Sequence, residues 1–80
     1  MHELGILRNI AKIVEQAAIR NKISAIRHIT LEIGAESGVV PCFLKKLYPV
    51  ATEAFPILKD ADLIILTVTG RGLVIKEIEY

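Results

Sequence analysis

The sequence predicts an α+β fold in the order α-β-α-β-β: a small three-stranded mixed sheet with two helices packed on one face. Three observations predict it. Apolar residues recur at helical spacing at the start of the chain and again before Pro56. A run over 25–33 alternates apolar and polar side chains, as a half-buried strand does. Two further runs, 62–69 and 73–79, flank Thr69-Gly70-Arg71-Gly72, whose glycines favour a tight antiparallel hairpin. The 80 residues are enough for one domain, 1–80, with a thin core.

Residues 3–21 read as the first helix. Leu4, Leu7, Ile10, Val14 and Ala17 form its stripe, and Ile6, Ile13 and Ala18 widen it. Glu3 at the start and Arg20 and Lys22 at the end suit the helix dipole, and Asn21 is a natural stop. In the strand that follows, Ile29, Leu31 and Ile33 alternate with His28, Thr30 and Glu32 up to Gly34. The stretch 34–38 is a loop, and Pro41 suits the first position of a second helix.

Phe43, Leu44, Leu47, Ala51 and Ala54 are the apolar face of that second helix. Pro49 removes a backbone bond to Lys45 and is expected to kink or split it, with Pro56 as its end. The strand 62–69 is apolar on both faces, so it reads as central or covered on both sides. A β-α-β crossover from the first strand to this one is right-handed if the two are parallel, and the antiparallel hairpin then makes the sheet mixed. Two helices cover one face only. The leftover apolar face, assigned to Leu63 and Ile65, is the expected contact of a homodimer.

Composition excludes several functions. Ten basic and nine acidic residues leave a net charge of +1, and aromatics are 5%, so the basic patches and stacking platforms of nucleic-acid binders are missing. The longest purely apolar run, Leu63 to Leu66, is too short to span a bilayer. His2 and Glu3 stand where a signal peptide carries its basic segment, so a cytoplasmic protein is expected. One cysteine, Cys42, allows no internal disulfide and no cysteine-built zinc knuckle. Its place near a helix start favours a thiolate in principle, but with no histidine near it in sequence it reads as inert. No nucleophile–base pair or carboxylate dyad emerges from spacing, so no enzyme is expected.

Met1-His2-Glu3 carries the most chemistry. The terminal amine, the deprotonated His2 amide and the imidazole close five- and six-membered rings around one ion. Nitrogen donors in a plane suit Ni(II) or Cu(II), whereas Zn(II) prefers a tetrahedron. Glu3 adds a carboxylate oxygen. His28 reads as a solvent-facing strand residue, with a second metal ligand as the other reading. Gly70-Arg71-Gly72 reads as an ordinary turn rather than an anion cradle, because no P-loop lysine or helix follows. Lys45-Lys46 reads as a solvated helix face.

The opening Met1-His2-Glu3-Leu4 and its amphipathic helix resemble the start of HypA-family nickel chaperones. Thr30-Leu31-Glu32-Ile33-Gly34 and Glu36-Ser37-Gly38-Val39-Val40-Pro41 are similar to that family's strand–loop–helix block. Ala61-Asp62-Leu63 and the closing Val74-Ile75-Lys76-Glu77-Ile78-Glu79 fit it too, in the family's order. The resemblance implies a metallochaperone for [NiFe] hydrogenase, or another nickel enzyme, with His2 as the essential Ni(II) ligand, Glu3 in support and the Met1 amine as a further donor. It implies a hydrogenase large subunit and a nickel-handling GTPase as partners. The chain departs from the family where a zinc module with two Cys-x-x-Cys pairs separates the last two strands; here Thr69-Gly70-Arg71-Gly72 stands in its place, and no zinc is expected. Cys42 replaces a common glutamate, and Pro49 interrupts the second helix. The rival reading is a dimeric adaptor on the same scaffold that no longer handles metal.

Overall fold

The structure, a computed structural model, describes residues 3–80. Helix α1 spans Glu3–Arg20, strand β1 His28–Gly34, helix α2 Pro41–Ala51, strand β2 Asp62–Val68 and strand β3 Leu73–Glu79, with a short 3-10 turn, Pro56–Leu58, before β2. The order is the α-β-α-β-β that the sequence predicts.

Helix α1 forms because its stripe has somewhere to go. Leu7, Ile10, Ala11, Val14 and Ala18 are buried, and Leu4 and Ile6 pack at the margin of the core. Ile13, expected in the stripe, is 53% exposed and lies off it. The helix stops one residue before the expected Asn21. Lys22 turns left-handed at φ 57°, the Ile23 N–H donates to the Ala18 carbonyl at 2.8 Å, and the Asn21 side-chain amide caps the Ala17 carbonyl at 2.7 Å.

Pro49 neither splits α2 nor ends it. It sits in the last turn, where only the Lys45 carbonyl loses its donor. Thr52 then closes the helix: its backbone N–H and its hydroxyl both donate to the Tyr48 carbonyl, at 3.0 and 2.9 Å. Ala54 thus falls beyond α2, and of the expected apolar face Leu44 and Ala51 are buried while Phe43 is exposed.

The strand order is β2-β1-β3. β1 is central, parallel to β2 and antiparallel to β3. The mixed sheet is as expected, but the hairpin is not: β2 and β3 are both edges, separated by β1. Residues 69–72 therefore arch over the end of β1 across two strand spacings, about 9.5 Å. Three backbone bonds fasten the arch. Gly34 N–H donates to the Gly72 carbonyl (2.7 Å), Ala35 N–H to Val68 (2.7 Å) and Glu36 N–H to Gly70 (2.8 Å). The Gly70 and Gly72 carbonyls are thus engaged in holding the arch to the strand end.

The faces of β2 also differ from expectation. Leu63 is buried and Ile65 half-buried against the helices, beside Ile29, Leu31 and Ile33 of β1. Ile64, Leu66 and Val68 lie on the far face, with Val74 of β3, and are exposed. The apolar run Leu63–Leu66 looks the same from either side, so parity with β1 decides its face: Leu63 pairs with Ile29 and Ile65 with Leu31.

Candidate functional site

Of the three residues expected to hold metal, only Glu3 lies among the described residues; Met1 and His2 lie outside them. Glu3 is the first residue of α1 and is half-buried. It stands in the first turn, at the positive end of the helix dipole. Leu4, Ile6 and Leu7 pack the same turn onto the core, so Glu3 is carried on a fixed element.

A second group of ligand-type side chains is assembled on the sheet. His28 opens β1 and Glu77 and Glu79 close β3, on the face away from the helices. Antiparallel pairing sets His28 opposite Glu79, and Glu77 follows on the same face two residues back. His28 Nε2 is 3.2 Å from Glu77 Oε1, and His28 Nδ1 is 3.6 Å from Glu79 Oε2. One ligand atom from each residue lies within 4.8 Å of the others. The imidazole is 22% exposed, while the carboxylates stand largely in solvent. Two cations are near: Arg27, 3.9 Å from Glu79, and Lys76, which reaches Glu32 at 3.8 Å instead of the trio.

The sequence singles out His28 but not its partners. The hairpin reading pairs β3 with β2, and so puts Glu77 and Glu79 one strand away from His28. The signal that finds them is parity along a β1–β3 ladder, with His28, Thr30 and Glu32 on the face of Glu77 and Glu79.

A groove between α2, the 3-10 turn and β2 is lined by Tyr48, Leu58, Asp62 and Leu63 among others. Burial, and then the negative charge of Asp62, push the Tyr48 phenol up to about 12. Tyr48 therefore stays neutral at physiological pH and is a poor general base. Cys42 is exposed near the start of α2, and Lys45 and Lys46 are solvated as expected.

Comparison with known proteins bears on the whole chain. Residues 1–76 match the family described as "Hydrogenase/urease nickel incorporation, metallochaperone, hypA". The chain is 39% identical over 72 residues to the hydrogenase maturation factor HypA of Trichodesmium erythraeum, covering 90% of this chain and 60% of that protein. It is 38% identical over 72 residues to the HypA of Geobacter metallireducens, covering 90% and 62%. It thus spans about three-fifths of the length of these relatives. The solution structure of the Ni metallochaperone HypA from Helicobacter pylori superposes with a TM-score of 0.79 at 19% identity, over 96% of this chain and 72% of that one, which is a likeness of fold.

Proposed function

This chain belongs to the HypA family of hydrogenase/urease nickel-incorporation metallochaperones, and on that premise we propose that it carries one Ni(II) at Met1-His2-Glu3 and passes it to a nickel enzyme. The observation that carries the proposal is the family match from residue 1, which includes a tripeptide whose donors suit a planar Ni(II) chelate. Nickel is cargo here. The Met1 amine, the His2 amide nitrogen and the His2 imidazole supply the plane, and Glu3 adds a carboxylate from the first turn of α1.

Ligands beside a chain terminus exchange one at a time, which suits transfer better than a closed cage. The recipient is a [NiFe] hydrogenase large subunit or another nickel enzyme, with a nickel-handling GTPase as co-worker, in the cytoplasm. Among the described residues no helix is long and apolar enough to cross a membrane. With one cysteine and a four-residue arch between β2 and β3, the chain carries no cysteine-built zinc centre. Its role is delivery rather than catalysis.

His2→Ala is expected to abolish specific Ni(II) binding in calorimetry while the circular dichroism spectrum and melting curve stay unchanged, because His2 precedes the core. Undiminished Ni(II) binding in the variant would sink the proposal.

One observation favours the rival reading of a dimeric adaptor that does not handle metal. Ile64, Leu66, Val68 and Val74 form an exposed apolar stripe on the outer face of the sheet, 37–55% accessible. If a second copy covers it, Leu66→Asp yields a monomer by light scattering and leaves the fold intact. A dimer that persists in Leu66→Asp excludes this face. A charge at Leu63, which is buried in the core, unfolds the chain instead.

A further inference from the structure

We propose that His28, Glu77 and Glu79 form a second divalent-cation site, separate from the N-terminal tripeptide and on the open face of the sheet. The donor set is one imidazole and two carboxylates, the mixed N/O set that borderline cations such as Zn(II) take. Its frame is rigid, because His28 and Glu79 are register partners on paired strands and Glu77 shares their face. Tetrahedral ligands about 2.0–2.2 Å from an ion stand roughly 3.3 Å apart. His28 Nε2 and Glu77 Oε1 already stand at 3.2 Å. Glu79 Oε2, now 3.6 Å from the other ring nitrogen, has only to swing its exposed carboxylate across.

The charge balance points the same way. Glu77 and Glu79 lie on one face of one strand and repel each other. One imidazole cannot neutralise both, Arg27 makes a long and largely solvated contact with Glu79 alone, and Lys76 is engaged with Glu32. A divalent ion offsets both charges and leaves a position for water. The expectation of no zinc rests on missing cysteine pairs and does not reach nitrogen and oxygen donors. Bound there, the ion ties the edge strand β3 to the central strand.

Zn(II) is the discriminating probe, since the planar chelate at the N-terminus disfavours it. Calorimetric titration of the full chain with Zn(II) is expected to show one site, kept within about twofold in His2→Ala. It is expected to weaken roughly 10-fold or more in His28→Gln and in Glu77→Gln/Glu79→Gln, since even outer-shell losses cost that much. Zn(II) is also expected to raise the melting temperature of the wild type and of His2→Ala, but not of the two sheet-face variants. These three side chains lie outside the core, so their metal-free melting curves stay near wild type. Unchanged Zn(II) affinity in His28→Gln, loss of the site in His2→Ala, or no Zn(II) binding by the wild type would each overturn the proposal. None of these outcomes depends on the nickel reading.

Discussion

Gly34→Ala is expected to leave the chain mostly unfolded at room temperature. A Cβ on Gly34 would lie 2.2 Å from the Gly70 carbonyl oxygen and 2.5 Å from its carbon, with Arg71 N at 2.8 Å. These are backbone atoms, so no side chain can turn aside. They belong to the arch that the amides of 34, 35 and 36 hold in place, so relief means breaking those bonds. Overpacking costs about 1–3 kcal/mol or more, and each lost backbone bond adds about 1 kcal/mol. A core of this size supplies roughly 3–5 kcal/mol in all. Gly72→Ala is the control: its Cβ meets nothing within 4 Å, and its stability should change by less than about 0.5 kcal/mol. Urea denaturation of the pair reads the difference. Equal midpoints for Gly34→Ala and wild type would mean that the arch does not cross the end of β1.

Leu31→Ala is the second large effect. Leu31 is fully buried at the middle of the central strand, between Ile65 of β2 and Ile75 of β3. Truncating a buried leucine removes transfer energy and leaves a cavity, about 2–5 kcal/mol together. That is comparable with the whole stability expected of the domain. The variant should show a sharply lowered urea midpoint or no cooperative transition. Val74→Ala, at a site 55% exposed, should melt close to wild type. If Leu31→Ala melted like Val74→Ala, β1 would not be the central strand.

Much of this fold is legible in the residues, because periodicity reports burial directly. Helix α1 and the alternation of β1 follow from side-chain spacing, and the parallel β1–β2 pair follows from the helical segment between them. Strand neighbourhood is less legible. Thr69-Gly70-Arg71-Gly72 has hairpin composition, yet four residues also suffice to arch over a strand that ends in glycine. The deciding feature is Gly34, which has no Cβ to obstruct the arch. That one topological difference carries two others with it. It makes β2 an edge strand rather than a central one, and it brings Glu77 and Glu79 beside His28. The inversion of Leu63 and Ile65 has a separate cause: the apolar run Leu63–Leu66 has no polar residue to mark its inside. Pro49 is tolerated because it falls where α2 is about to end, a boundary set by the Thr52 cap rather than by periodicity.

The N-terminal tripeptide is legible by chemistry and by family, since its donors lie in consecutive residues and need no fold to meet. The sheet-face trio is the opposite case. Its members are 49 and 51 positions apart in sequence, and only the ladder between β1 and β3 assembles them.

Nickel binding at Met1-His2-Glu3 is tested by a calorimetric Ni(II) titration of the chain with a free Met1 amine, beside the same chain extended by a few residues before Met1. Saturable binding of one Ni(II) that the extension destroys is the predicted result, because the extension converts the terminal amine donor into an amide. Equal affinity in the two proteins would contradict it and move nickel away from Met1-His2-Glu3.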